Sequence, residues 1–208
     1  MANNMTEEKT VQPYEIGELD QYLFGNGTHY ELYKKMGAHL VTVDGVKGVY
    51  FAVWAPHAKS VSVIGEFNEW DLNADMMQRH DPMGIYTKFV PGAKEGQLYK
   101  FCIETQNGAK IDKADPFANY AELRPGNASR ITDISNLKWS DSSWMKKREK
   151  WDEKTNPMSI YEVHMGSWMR HPGREDEGFY TYREFAERIT EYVKDMGYTH
   201  VELMGISE

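Results

Sequence analysis

Cysteine is nearly missing: Cys102 stands alone among 208 residues, so no disulfide can close within the chain. Basic residues are outnumbered, 24 Lys and Arg against 32 Asp and Glu. The net charge of −8 argues against nucleic acid as a partner, because such a footprint needs a cationic face. The one basic cluster, KKREK at 146–150, is flanked by Asp141, Asp152 and Glu153 and reads as a solvated helix face. Long apolar runs are absent as well. The longest, GVYFAVWAP at 48–56, is far too short to cross a bilayer. The opening MANNMTEEKT lacks the basic-then-apolar order of a secretion signal, so a cytoplasmic location with no membrane partner is expected. Histidines 164, 171 and 200 show no ligand spacing, so neither a metal nor a cofactor is expected.

What remains is an ordinary globular composition, 40% hydrophobic and 27% charged, with six Trp and thirteen Tyr. Aromatic rings supply core area and also surfaces on which sugars stack.

Four sections follow one another. In the first, 1–39, residues 1–20 are polar and read as loose, whereas THYELYKKMG (28–37) predicts a short helix. Thr28 and Glu31 have capping-box spacing there, and Gly37 stands where a terminating glycine belongs. From 40 to 135 the apolar period drops to two. Val49, Phe51 and Val53 alternate with Tyr50, Ala52 and Trp54, and Pro56 stops the run. SVSVIGEF, GIYTKFVPG and QLYKFCIETQNGAKI are further strands, the last turning through Asn107-Gly108, a dipeptide that tolerates positive φ. Short antiparallel strands at this density predict a β-sandwich. Residues 136–157 form a connector whose Trp139, Trp144 and Trp151 are expected to pin it to a neighbouring surface.

The last section, 158–208, reads strand (SIYEVHM), long loop, helix (TYREFAERITEYVKDMG) and strand (YTHVELM). Thr181 and Glu184 form a capping box, and Phe185, Ile189, Tyr192, Val193 and Met196 share one stripe. This is one β-α-β unit with two parallel strands. A parallel sheet needs cover and further strands, so the unit is expected to be the start of a larger barrel or sheet. Its exposed stripe is expected to promote self-association.

Two stretches carry a specific resemblance. VYFAVWAPHAKSVSVIGEFNEWD, then GQLYKFCIE and KADPFA, resemble the family-48 carbohydrate-binding module, a β-sandwich that precedes catalytic barrels. IYEVHMGSW with YVKDMGYTHVELMGISE is similar to the first strand, helix and second strand of the barrel in 1,4-α-glucan branching enzymes, members of the α-amylase superfamily. YLFGNGTHYELYKKMGAH also resembles the segment before the module in bacterial members. The resemblance implies a mixed fold: an immunoglobulin-like antiparallel β-sandwich followed by an incomplete (β/α)8 barrel, its first β-α-β unit only.

It also implies a chemistry. A retaining mechanism uses an aspartate nucleophile and a glutamate acid about 5 Å apart, at the C-terminal ends of barrel strands. In the family these lie on middle strands beyond Glu208, so no catalytic residue is assigned. Glu162 and Glu202 occupy strand positions that the family does not use as acid or base, and Glu208 is the last residue. His164 reads as a barrel-interior histidine bonded to a neighbour, and the loop 166–180 either touches glucan at a site rim or is a plain connection.

The carbohydrate-binding residues that the resemblance implies are Trp70 in EFNEWD, Lys100 in LYKFCIE and Asn127 in RPGNASRI. Alternation puts Tyr99, Phe101 and Ile103 on the core face and leaves Lys100 outside. A second tryptophan usual in glycogen-sensing modules is missing, since the matching stretch is NGAKID. Packing of Trp70 against the barrel is the competing role. The function expected is the N-terminal part of a glycogen branching enzyme, inactive alone and with α-1,4-glucan as its partner. A stand-alone, non-catalytic α-glucan-binding module is the alternative, and a debranching relative a weaker third.

Overall fold

In the computed structural model, which describes residues 12–172 and 178–206, the run at the centre of the sequence pattern becomes a strand buried on both sides. This is β2 (Val46–Trp54), with every residue from Gly48 to Val53 buried. It lies in a four-stranded antiparallel sheet, order β1-β2-β5-β4, with β1 (Gly37–Val43), β4 (Gln78–His80) and β5 (Ile85–Pro91). A second sheet, order β3-β6-β7, joins β3 (Ser60–Gly65), β6 (Leu98–Glu104) and β7 (Lys110–Lys113), and the short β8 (Ser129–Arg130) also pairs with β6. Val49, Phe51 and Val53 from one sheet share a core with Val61, Val63, Tyr99 and Phe101 from the other. Side chains interdigitating between two sheets make this a sandwich.

The other face of β2 is covered too. Tyr50 and Ala52 pack with Ile16, Met36 and Ile85, and Tyr14, Phe24 and Leu32 close over them. The N-terminal segment is therefore not loose from residue 12 onward, and it contains a helix, α1 (Glu18–Gly25). The helix expected over 28–37 shrinks to a single 3₁₀ turn at Leu32–Lys34, with Gly37 already in β1. Tertiary bonds win over the local capping signal. Asp20 takes the Gly17 N–H at 2.8 Å, His29 Nε2 at 2.8 Å and Lys35 Nζ at 3.2 Å, which ties both ends of the segment together. The β1–β2 hairpin turns through Asp44-Gly45, both at positive φ (50° and 81°), the same turn chemistry as Asn107-Gly108.

The chain divides into two compact units, the second beginning at Lys138. There, α2 (Ser142–Arg148) buries none of its residues, so Lys146, Lys147 and Arg148 are a solvated face. The pinning expected of the tryptophans is met by Trp151 alone, whose ring packs edge-on against His200, 6.4 Å between centroids. Trp139 is 76% exposed, and Trp144 is exposed with the Arg148 guanidinium 5.5 Å from its ring centroid. The β-α-β unit is formed as expected: β9 (Ile160–His164) pairs in parallel with β10 (His200–Met204), joined through α3 (Met165–Trp168) and α4 (Tyr182–Asp195). Thr181 and Glu184 complete their capping box. The α4 stripe is not left bare, since Phe185 and Ile189 bury against Val163 and Tyr192 and Val193 pack beside them; only Met196 stays exposed. The exposed apolar surface lies on β10 instead, at Val201, Leu203 and Met204.

Candidate glucan-binding face of the sandwich

The turn after β3 is where the sequence places an aromatic ring. Gly65, the last residue of β3, has no room for a side chain, because a Cβ there would come within 2.4 Å of the Leu98 carbonyl oxygen. The following turn is held from one side chain. Asn68 Oδ1 accepts the Gly65 N–H at 2.9 Å, while its Nδ2 donates to the Val63 carbonyl and to Asp75 Oδ2. Glu66 ties the turn to β6 by accepting the Leu98 N–H at 2.8 Å. Two non-glycine residues then adopt the left-handed conformation in succession, Glu69 at φ 54° and Trp70 at φ 61°. Each such residue costs on the order of 1–2 kcal/mol. The Trp70 N–H closes the turn onto the Gly65 carbonyl at 2.9 Å, and the indole stands 38% exposed.

Across β3 lies β6. Tyr99 and Phe101 are fully buried between the sheets and Ile103 packs against the same core, as the alternation requires. Lys100 therefore faces outward, opposite Ile64 and one residue along from the Gly65 that anchors Trp70. Its Nζ donates to Asn127 Oδ1 at 2.5 Å, so residues 27 apart in sequence converge on one outer face. The rest of the 66–76 turn covers the other end of that face, where Ser62 Oγ donates to the Leu72 carbonyl and Lys110 Nζ to Asn73 Oδ1. The cover reaches Ile64, which is buried opposite Lys100, and leaves Lys100 itself half-buried beside Asn127. An ammonium and an amide offer the donors and the acceptor that sugar hydroxyls take, and an indole offers a ring on which a sugar can stack.

Two supporting residues escaped the sequence reading. Asn68 is one; the other is Asp115 of the KADPFA stretch. Buried almost completely, Asp115 accepts the Tyr99 O–H at 2.6 Å and the Phe117 N–H at 2.8 Å, and its own N–H donates to Ser129 Oγ. It thereby fixes β8, and with it the approach to Asn127, against β6.

In the second unit, Glu162 and Glu202 are register partners in the parallel pair, and both are exposed. Neither sits at the C-terminal end of its strand. His164 is exposed at the end of this two-stranded sheet, with a neighbour contact in place, Ser167 Oγ 3.3 Å from its Nδ1. Part of the loop 166–180 and Glu208 fall outside the described residues. Among the described residues, no group of three or more His, Cys, Asp or Glu is arranged to hold a metal ion.

Residues 35–118 match the family model for carbohydrate-binding module 48 (isoamylase N-terminal domain). The chain is 58% identical over 193 residues to the 1,4-alpha-glucan branching enzyme GlgB of Butyrivibrio fibrisolvens, covering 93% of this chain and 30% of that enzyme. It is 50% identical over 206 residues to the GlgB of Rhodopirellula baltica, covering 97% and 28%. The match is to their N-terminal part, and the chain spans less than a third of these relatives. Among solved structures, a pullulanase from Bacillus acidopullulyticus superposes with a TM-score of 0.60 at 22% identity, over 84% of this chain and 22% of that one. The pullulanase type I of Bacillus subtilis str. 168, complexed with maltose, gives 0.55 at 25% identity, over 84% and 24%. The β-rich architecture is therefore that of such amylase relatives, and the resemblance to branching enzymes holds along nearly the whole chain.

Proposed function

We propose that this chain is the glucan-binding N-terminal part of a 1,4-α-glucan branching enzyme that works in the cytoplasm. In this reading Trp70 stacks on the apolar face of a glucosyl ring, while Lys100 and Asn127 bond its hydroxyls. The β9-α4-β10 unit is the first of an α-amylase-type (β/α)8 barrel. The transfer itself breaks an α-1,4 bond by attack of an aspartate on the anomeric carbon as a glutamate protonates the leaving oxygen. The glycosyl-enzyme then passes to a 6-hydroxyl instead of to water. That pair of carboxylates is not assigned within these residues. The observation that carries the binding half is the convergence of Lys100 with Asn127 beside a turn that spends backbone strain to present an indole.

The strain supplies the discriminating test. Glycine adopts φ near 60° freely, and the strain relieved offsets part of the packing lost with a more than half-buried indole, so Trp70→Gly should cost no more than about 1–3 kcal/mol. The same variant should lose the retardation of the chain in glycogen-containing native gels, with affinity falling about 10-fold for the lost stacking. A Trp70→Gly chain that melts much earlier yet migrates like the parent would make the ring a packing element instead. For catalysis, the purified 208-residue chain mixed with amylose should leave the iodine-complex absorbance unchanged over hours. A falling absorbance would overturn the assignment of the acids to residues outside it.

A further inference from the structure

The stretch after the Asn107-Gly108 turn contains no second aromatic, but the sheet brings one to the same face from elsewhere in the chain. On β8, Ser129 pairs with Tyr99 and Arg130 with Leu98. Ser129 and Tyr99 point into the sandwich and are buried, so Arg130 points outward on the side of Lys100. Residues 120–122 add one more run beyond β8: the Arg130 N–H donates to the Tyr120 carbonyl and the Glu122 N–H to the Ala128 carbonyl, each at 2.8 Å. Ala121 bridges Ser129 there, which puts Tyr120 beside Arg130 on the outer face. The side chains bear this out. The Arg130 guanidinium lies 5.6 Å from the Tyr120 ring centroid and is itself anchored by Nη1 to the Gly96 carbonyl at 2.6 Å. Tyr120 is 57% exposed. An aromatic ring more than half exposed and held beside a tethered guanidinium is a prepared stacking surface.

Crossing the sheet, the order is the Trp70 turn at the end of β3, then Lys100 on β6 with Asn127 against it, then Arg130 on β8, then Tyr120. Three strand steps separate the two rings, roughly 15 Å at the usual interstrand spacing. The geometry points to Tyr120 as the second aromatic platform of the glucan site, engaging a linear α-1,4-glucan several sugars away from the ring on Trp70. This rests on the glucan-binding reading given above and adds a length dependence to it. A disaccharide reaches one ring only, whereas a long oligosaccharide reaches both.

The test is calorimetric titration of the 208-residue chain with maltose and with maltoheptaose. Tyr120→Ala should weaken maltoheptaose about 5- to 10-fold and leave maltose within about 2-fold of the parent, since one stacked ring is lost from one ligand only. Tyr120→Phe, which keeps the ring, should bind both as the parent does, and melting curves of the three proteins should superpose. If Tyr120→Ala binds maltoheptaose like the parent while Trp70→Gly does not, the second platform is wrong and the site at Trp70 stands. Equal weakening of both sugars by Tyr120→Ala also removes the proposal, because the ring would then act through the local fold. If the parent binds neither sugar, the glucan-binding reading falls, and this inference with it.

Discussion

Phe51→Ala should cost the first unit about 3–5 kcal/mol, the range for truncating a fully buried phenylalanine. The ring is inaccessible to solvent and is the middle of an aromatic chain, 5.5 Å from Phe67 and 5.0 Å from Tyr99, with Phe101 a further 5.9 Å beyond Tyr99. It is also the point where the two sheets meet, so neighbours on both sides would have to collapse to fill the space. Domains of this size are stable by only about 5–15 kcal/mol, so the substitution removes a large fraction of the margin. Urea unfolding followed by fluorescence should show a midpoint well below the parent's with little change in slope. Lys47→Ala on the same strand, exposed, should move the midpoint by no more than about 0.5 kcal/mol equivalent. A similar, small effect for both variants would mean that β2 does not face the second sheet in the register described.

The sequence pattern around Phe51 was legible because alternation is a local property. Val49, Phe51 and Val53 face one way whatever lies beyond them, and the Asn107-Gly108 turn and the Thr181 capping box are equally local. What alternation cannot say is that the other face is also covered. Tyr50 and Ala52 are buried by Ile16, Met36 and Leu32, residues brought there by bonds from Asp20 to His29 and Lys35 that span more than a helical turn. The same bonds explain why a capping signal at Thr28 produced no helix. Propensity is worth tenths of a kcal/mol per residue, and tertiary burial outweighs it. Asp44-Gly45 carried the same signal as Asn107-Gly108 and marks the β1–β2 hairpin. The binding face divides in the same way. That Lys100 points outward follows from its neighbours; that it meets Asn127 depends on a pairing of β8 with β6 across a loop, which no local period encodes.

Asp115 should give the first unit an unusual response to pH. Burial is the largest influence on its carboxyl and pushes its pKa from 3.8 up to about 6, against the hydrogen bonds from Tyr99 and Phe117 that favour the charged form. A pKa raised by folding means that the folded chain binds the proton more tightly than the unfolded one. The associated stabilisation is complete below about pH 4 and is lost as pH rises through 6, a difference of about 3 kcal/mol. Carboxyls held low in the fold work in the opposite direction. Asp20 is one: burial raises it, but the bonds from Gly17, His29 and Lys35 outweigh burial. The net profile of the parent therefore mixes both, and Asp115→Asn separates them. Its amide keeps the size of the side chain and an acceptor for the Phe117 N–H and cannot ionise, but it turns an NH2 donor towards the Tyr99 hydroxyl that the second carboxylate oxygen accepted from. Relative to the parent, Asp115→Asn should gain about 3 kcal/mol between pH 4 and pH 7.5, on top of a pH-independent cost of about 1–3 kcal/mol for the Tyr99 O–H left without its acceptor. Asp115→Ala should instead lose about 2–4 kcal/mol near neutral pH, because the Tyr99 hydroxyl and the Phe117 N–H are left buried without their acceptor. Parallel stability-pH curves for the parent and Asp115→Asn would show that the carboxyl ionises in the fold as it does in water. The latch between β6 and β8 would then be an ordinary charged hydrogen bond rather than a buried acid.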